Sequence, residues 1–98
     1  MYKPLPVGVT IRPSSIEGLG LFATEKFTAG TLIGRIHIPN ENEPNGYYRT
    51  ALGGFGNHSN NPNCYKLLME DDSYWIGANQ DIEPDDELTW YYTLYEIR

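Results

Sequence analysis

Glycine and proline interrupt this sequence so often that long helices are excluded from most of it. The 98 residues include 10 glycines and 7 prolines, and no segment of helical length shows an apolar stripe with a 3.6-residue period. The apolar residues fall instead into short runs bounded by turn-forming residues, which is typical of strands. Six runs predict strands, at residues 7–12, 19–23, 31–38, 65–69, 74–78 and 87–92. The sequence therefore predicts a mainly β fold.

The segment between the third and fourth runs predicts a loop followed by the only helix. Residues 39–46 read PNENEPNG, and proline, glycine and asparagine are the residues that favour turns. A short helix is predicted over residues 47–52. Because no internal repeat, low-complexity tract or linker divides the chain, residues 1–98 are expected to form a single domain.

The charge and the cysteine count narrow the classes of partner. A formal net charge of −6 argues against nucleic acid, because proteins that bind phosphate backbones usually present a basic face. A basic peptide is the better electrostatic match. Cys64 is the single cysteine, so it forms no internal disulfide, and the two histidines have no spacing typical of a metal site.

Targeting and membrane segments are not recognisable in the sequence. Residues 1–7 lack the apolar region and cleavage site of a secretory signal. No apolar stretch approaches the roughly 20 residues of a membrane-spanning helix. We therefore expect a soluble protein of the cytoplasm or nucleus, with no membrane partner.

The first motif with chemical potential is Gly18-Leu19-Gly20, directly before a predicted strand. Glycines at this spacing let a ligand approach the backbone closely. Taken alone, the pattern is explained better by a glycine-rich hairpin turn. A dinucleotide site is rejected, since the third glycine and the following helix of that motif are missing.

The second motif is Asn57-His58, in a segment dense in Asn, Ser and Pro. Polar side chains in such a loop can fix the backbone around a bound nucleoside. In isolation, a cluster of turns in which these side chains bond the local backbone is at least as good an explanation.

The third motif is an acidic turn that leads into an aromatic strand, at residues 81–92. The acidic run is most simply a solvated turn. Trp90, Tyr91, Tyr92 and the nearby Tyr95 are, in isolation, explained by packing, because aromatic residues are common in small β folds.

In this order, the motifs resemble the SET domain family of protein lysine methyltransferases over nearly the whole chain. The matching residues are Ser14, Ile16, 18–23, 27–33, Asn57, His58, Ser59, Pro62, Asn63, Ile82 and 87–92. The resemblance implies the SET-domain β-clip fold, with several small sheets and little helix. In that fold the Asn-His segment and the C-terminal tyrosine segment form a knot-like crossing.

The resemblance also implies a site. S-adenosylmethionine would be held by Gly18, Leu19, Gly20, Asn57 and His58. Tyr92 aligns with the catalytic tyrosine of the family and would orient the target lysine. Trp90 would line the lysine channel, with either Tyr47 or Tyr48 as another wall, and no metal takes part.

The implied function is an S-adenosylmethionine-dependent protein-lysine N-methyltransferase that acts on a basic, histone-like tail. Two alternatives stay open: a degenerate SET-like module that binds protein without turnover, and a structural β domain that shares only the architecture. The insert between Ile38 and Gly53 is very short for the family, and few residues follow Tyr95. We therefore expect a homodimer or a partner to complete the active site.

Overall fold

The computed structural model describes residues 5–44 and 46–91 of the chain. These residues form eight strands and one short helix. In chain order the elements are β1 (Val9–Pro13), β2 (Leu19–Ala23), β3 (Leu32–Pro39), β4 (Tyr47–Arg49), α1 (Ala51–Phe55), β5 (Asn57–His58), β6 (Cys64–Leu68), β7 (Tyr74–Ala78) and β8 (Glu87–Trp90).

The first sheet has the strand order β1-β2-β8-β5. The pairs β1/β2 and β2/β8 are antiparallel, whereas β5 pairs with β8 in parallel, with Asn57 opposite Thr89 and His58 opposite Trp90. The two parallel strands come from distant parts of the chain. Their pairing places the Asn-His motif beside the aromatic strand.

The second sheet has the order β4-β3-β7-β6 and is antiparallel throughout. A tight turn joins β6 to β7, in which Asp72 adopts a left-handed φ of 67°. Two register shifts interrupt the pairing of β3 with β7, and such irregularities increase the local twist of a strand.

Both sheets and α1 contribute to one apolar core. Its buried members are Val9, Leu21, Ala23, Phe27, Ile33, Ile36, Leu52, Cys64, Ile76, Ala78, Ile82, Leu88 and Trp90. In β8, Leu88 to Trp90 are all buried. Because successive side chains of a strand point to opposite faces, both faces of this part of the third motif are packed.

The prediction of a mainly β fold in small sheets is confirmed, but the predicted helix over residues 47–52 is wrong. Tyr47–Arg49 pair with β3 as β4, and the helix starts only at Ala51. Thr50 sets this boundary: its Oγ1 accepts a hydrogen bond from Gly53 N at 3.1 Å and donates one to Arg35 O at 2.6 Å. A threonine that caps the first turn in this way begins a helix rather than continuing one.

Six strands, β1, β2, β3, β6, β7 and β8, follow the predicted runs to within two residues at the ends that the structure describes, whereas no run predicts β5. Residues 19–23 and 74–78 match without a shift. Over residues 5–44 and 46–91, no helix has the length and hydropathy needed to cross a membrane.

Candidate functional site

The side chain of Asn57 lies where the three sequence motifs meet. Its Nδ2 is 2.9 Å from Oε2 of Glu87 and 3.1 Å from Oγ of Ser14. The carbonyl oxygens of Glu17 and Leu19 lie 3.2 and 3.3 Å from the same nitrogen. An amide NH₂ has two hydrogens to share among these four acceptors. Residues 14–19, β5 and β8 are therefore joined through the side chain of Asn57.

Glu87 and Ser14 are two members of this cluster that were not predicted as site residues. Both carboxylate oxygens of Glu87 lie 2.8 Å from the Ser14 hydroxyl, which donates to them. That hydroxyl also accepts a hydrogen bond from Ile16 N at 2.9 Å. The position of Glu87 in the sequence was a signal for this role. Because Glu87 begins an otherwise apolar strand, its side chain belongs to the strand and not to the preceding acidic turn.

The two glycines of the first motif have different roles. A Cβ on Gly20 would overlap Oε2 of Glu87 and approach Nδ2 of Asn57 to 3.1 Å, so the cluster can close only around a glycine. Gly18 has a left-handed φ of 44° with open space beside it, which suits a turn. Leu19, between them at the start of β2, is 50% exposed, so this residue can contact a ligand.

His58 connects the second motif to the end of β8. Its backbone is opposite Trp90, and Ser59 N donates a hydrogen bond to Trp90 O at 3.2 Å. The imidazole ring lies 4.7 Å from the ring of Tyr91, centroid to centroid, and its Nε2 is 3.0 Å from Oδ1 of Asn60. Tyr92 itself lies outside the described residues.

Asn63 holds β8 from the other side. Its Nδ2 donates to Glu87 O at 2.8 Å, and its Oδ1 accepts from Thr89 N at 2.9 Å. This side chain bonds the β8 backbone as a neighbouring strand would. Asn63 therefore fixes the strand that carries Glu87, while Asn57 fixes residues 14–19.

Trp90 is buried, with 1% of its surface exposed. Its indole ring packs so closely on Gly56 that a Cβ there would overlap the ring. The described contacts are thus core contacts. The predicted role of Trp90 in a lysine channel stays a prediction.

Tyr47 and Tyr48 lie on opposite faces of β4, because successive side chains of a strand alternate. Tyr47 packs against Tyr74, with ring centroids 5.5 Å apart, and against His37 at 6.3 Å. Desolvation raises the pKa of Tyr47, and the charges of Tyr74 and Asp72 act in the same direction. The hydroxyl of Tyr47 therefore stays protonated near neutral pH.

The side chain of Tyr48 lies on the other face of β4, away from Tyr47 and Tyr74. Tyr48 is 43% exposed and lines a cavity of about 560 Å³ together with Arg35 and Trp75. Of the residues of the three motifs that the structure describes, none lines this cavity.

A second cavity, which we call the tyrosine cavity, adjoins the Asn-His motif through Tyr91. It has a volume of about 340 Å³, within the range of small-molecule pockets. Its lining residues are Pro62, Cys64, Tyr65, Lys66, Tyr74, Asn79 and Tyr91. The cavity therefore lies between β6, β7 and the residue that follows β8, and Tyr74 in its wall also contacts Tyr47 of β4.

The cluster around Asn57 is rich in acceptors: a carboxylate, a hydroxyl and two backbone carbonyls. Such a set suits a ligand that carries positive charge. Among residues 5–44 and 46–91, no group of three His, Cys, Asp or Glu side chains is arranged to hold a metal ion.

Comparison with known proteins identifies a family from the sequence and a similar fold from the structure. The model of the SET domain matches residues 40–93, more than half of the chain. The crystal structure of a candidate histone methyltransferase from Plasmodium falciparum is similar, with a TM-score of 0.71 and 24% identity, over 93% of this chain and 97% of that chain. At this identity the similarity concerns the fold. Among curated proteins, none has a matching sequence.

Proposed function

The chain belongs to the SET domain family, and from this premise we propose that it is an S-adenosylmethionine-dependent protein-lysine N-methyltransferase. The observation that carries the proposal is the meeting of the three motifs at the side chain of Asn57. When bound, S-adenosylmethionine supplies the methyl group on a cationic sulfur.

The residues around Asn57 fit such a cofactor. S-adenosylmethionine carries an ammonium and a sulfonium cation, and both are favoured beside acceptors and carboxylates. We assign Gly18, Leu19, Gly20, Asn57 and His58 to its binding. Glu87 holds Asn57 and Ser14 in place, so it acts on the cofactor through them.

The chain must also present a neutral lysine amine in line with the methyl group. The pKa of a lysine in water is about 10.4, and desolvation and nearby positive charge lower it. Once the amine is neutral, positioning supplies most of the acceleration. We assign this task to Tyr92, whose neighbour Tyr91 contacts the Asn-His motif.

The channel for the target lysine is proposed to use Tyr47 rather than Tyr48. Tyr47 shares its face with Tyr74, which lines the tyrosine cavity, whereas Tyr48 lines the other cavity. Trp90, the last residue of β8, is proposed to form a further wall of this channel.

The proposed substrate is a basic peptide segment, such as a histone-like tail. The net charge of −6 favours such a partner electrostatically. The similar Plasmodium falciparum structure is of a protein whose name contains histone methyltransferase, and this agrees with the proposed substrate class.

The test is incubation of the protein with labelled S-adenosylmethionine and a mixture of basic proteins, with cofactor affinity measured by titration calorimetry. The wild type is expected to label at least one basic protein on lysine. Asn57→Ala removes the donor shared by four acceptors, at a cost of about 1–3 kcal/mol. We expect this variant to bind the cofactor more weakly by a factor between about 5 and 150.

Asn61→Ala is the matched control, because Asn61 is exposed and its side chain is outside the Asn57 cluster. It should bind and transfer as the wild type does. If the folded wild type bound no S-adenosylmethionine, the protein-binding module would be the better explanation. Binding without any transfer would also contradict the proposed activity.

We further propose that a homodimer completes the active site. Of the described residues between β3 and α1, 40–44 and 46–50, those of β4, three residues long, form the one strand that could be a wall of a peptide groove. Sedimentation velocity under assay conditions should show a dimer in the active preparation. A fully active monomer would contradict this part of the proposal.

A further inference from the structure

The cavity of about 560 Å³ that Tyr48 lines, which we call the arginine cavity, lies away from the three motifs. Its walls come from β3, β4, β7, the first residues of α1 and residues 5–6. Arg35 and Arg49 line it, and none of the described residues that line it carries a carboxylate. The described wall is therefore positively charged, in a protein whose net charge is −6.

The apolar part of this wall is packed around Gly34. A Cβ on Gly34 would lie 2.8 Å from Cδ2 of Leu52 and 3.3 Å from Cγ of Pro6, so both side chains pack on the glycine backbone. Leu52 is 1% exposed and belongs to the core. An apolar side chain that enters the cavity would leave water for this surface, and burial of apolar area favours binding.

Trp75 holds the guanidinium of Arg35 at the cavity wall. Cζ of Arg35 lies 5.6 Å from the centroid of the Trp75 ring, a distance at which a cation is attracted to an aromatic face. Both residues also line a neighbouring cavity, and Asp71 lines that cavity and not this one. The cation–π contact therefore fixes Arg35 between the two cavities.

The ion pair between Arg35 and Asp71 is a weak one. Nη2 of Arg35 lies 3.8 Å from Oδ2 of Asp71, and the two side chains are 43% and 61% exposed. This distance is longer than that of a hydrogen bond, and exposed pairs contribute little free energy. Arg35 can therefore exchange Asp71 for a carboxylate that enters the arginine cavity.

Charge and apolar area together select the class of ligand. A guanidinium binds a carboxylate through two parallel hydrogen bonds, and Trp, Tyr and Arg are the residue types that dominate contacts between proteins. A long polyanion such as nucleic acid would extend past the arginines and meet the negative charge of the rest of the protein. One carboxylate beside an apolar side chain meets the local positive charge.

We propose that the arginine cavity is a docking site for a short acidic segment of a partner protein, in which an apolar side chain fills the cavity and a neighbouring carboxylate pairs with Arg35. This inference does not depend on the proposed function. The arginine cavity lies apart from the Asn57 cluster, and its partner is acidic, whereas the proposed methylation substrate is basic.

The test is fluorescence anisotropy with short labelled peptides in which a central leucine or phenylalanine is flanked by glutamate or by glutamine. The glutamate peptides are expected to bind the wild type about tenfold more tightly than the glutamine peptides. Arg35→Gln should abolish this difference by weakening the glutamate peptides alone. A central glycine should weaken the glutamate peptides about tenfold, because the apolar side chain is lost.

Asp71→Asn should change the affinity in the opposite direction. It removes the carboxylate that competes for Arg35, and it keeps a side-chain oxygen as the acceptor for Ser73. We expect the glutamate peptides to bind this variant about two- to fivefold more tightly than the wild type.

Arg12→Gln is the matched control. The side chain of Arg12 is 41% exposed and pairs with Asp85, and Arg12 lies on β1, outside the arginine cavity. All peptide affinities should stay at the wild-type values. Arg35→Lys serves as a second variant if Arg35→Gln does not fold, as judged by its melting transition. It keeps the charge but loses the two parallel hydrogen bonds, so its affinity should be intermediate.

Glutamate peptides that do not bind at millimolar concentration, or that bind folded Arg35→Gln as they bind the wild type, would overturn the inference. Equal binding of the peptides with a central glycine would overturn it too, because the cavity would then take an anion alone. Tighter, Arg35-dependent binding of a single-stranded RNA oligonucleotide would assign the site to nucleic acid instead. None of these measurements involves methyl transfer, so the proposed function and this inference can fail separately.

Discussion

Tyr92→Phe is expected to lower the rate of methyl transfer at least about 100-fold while the affinity for S-adenosylmethionine stays within about twofold. The substitution removes one hydroxyl and keeps the ring. In the proposed reaction that hydroxyl orients the lysine amine toward the methyl group, so its loss affects the reacting geometry rather than the cofactor contacts. Single-turnover rates give the first quantity, and titration calorimetry gives the second.

Tyr48→Phe is the matched control for this prediction. It loses the same hydroxyl on the opposite face of β4, where the side chain is 43% exposed, and its rate should equal that of the wild type. Full activity of Tyr92→Phe would show that the hydroxyl is not used. A parallel loss of cofactor affinity and rate would indicate that Tyr92 acts on the fold instead.

The strands were predictable wherever local pattern decides the structure. Leu19–Ala23 and Tyr74–Ala78 are bounded by turn residues and pair with neighbours close in sequence. β5 was not predictable, because it is two residues long and exists only through its parallel pairing with β8. The sequence motifs indicated that these segments belong together, but the pairing itself is a tertiary contact.

Side-chain bonds explain the other differences between sequence and structure. The helix was predicted three or four residues too early, because the cap depends on Thr50 reaching Gly53 and the β3 backbone. Glu87 follows the acidic residues 81–86 and begins the predicted strand 87–92, but nothing in the sequence indicates Ser14 and Asn57 as the partners that its carboxylate bonds. A run of acidic residues in a sequence does not show which of them turns inward.

The channel residues illustrate the same limit. The sequence left the choice between Tyr47 and Tyr48 open, because two adjacent tyrosines are equivalent in a pattern. Once β4 is known to be a strand, they must lie on opposite faces. The strand assignment, which the sequence missed, is therefore what favours Tyr47.

Gly56→Ala is expected to have the largest effect on stability among single substitutions near the site. The new Cβ would overlap the indole ring of Trp90, which is buried in the core with 1% of its surface exposed. Overpacking of this kind costs about 3 kcal/mol. For a chain of this length that corresponds to a fall in melting temperature of about 15 °C, to be measured by calorimetry.

Gly54→Ala is the control two residues away, because its Cβ meets nothing within 4 Å. Gly54 is exposed within α1, where alanine is favoured over glycine, so the melting temperature should stay equal or rise slightly. Equal melting temperatures for the two variants would mean that the ring of Trp90 can be displaced at little cost.

The same pair of variants should also differ in cofactor binding. Trp90 pairs with His58 and precedes Tyr91 and Tyr92. Gly56→Ala should therefore weaken cofactor binding at temperatures where the variant is still folded, whereas Gly54→Ala should not.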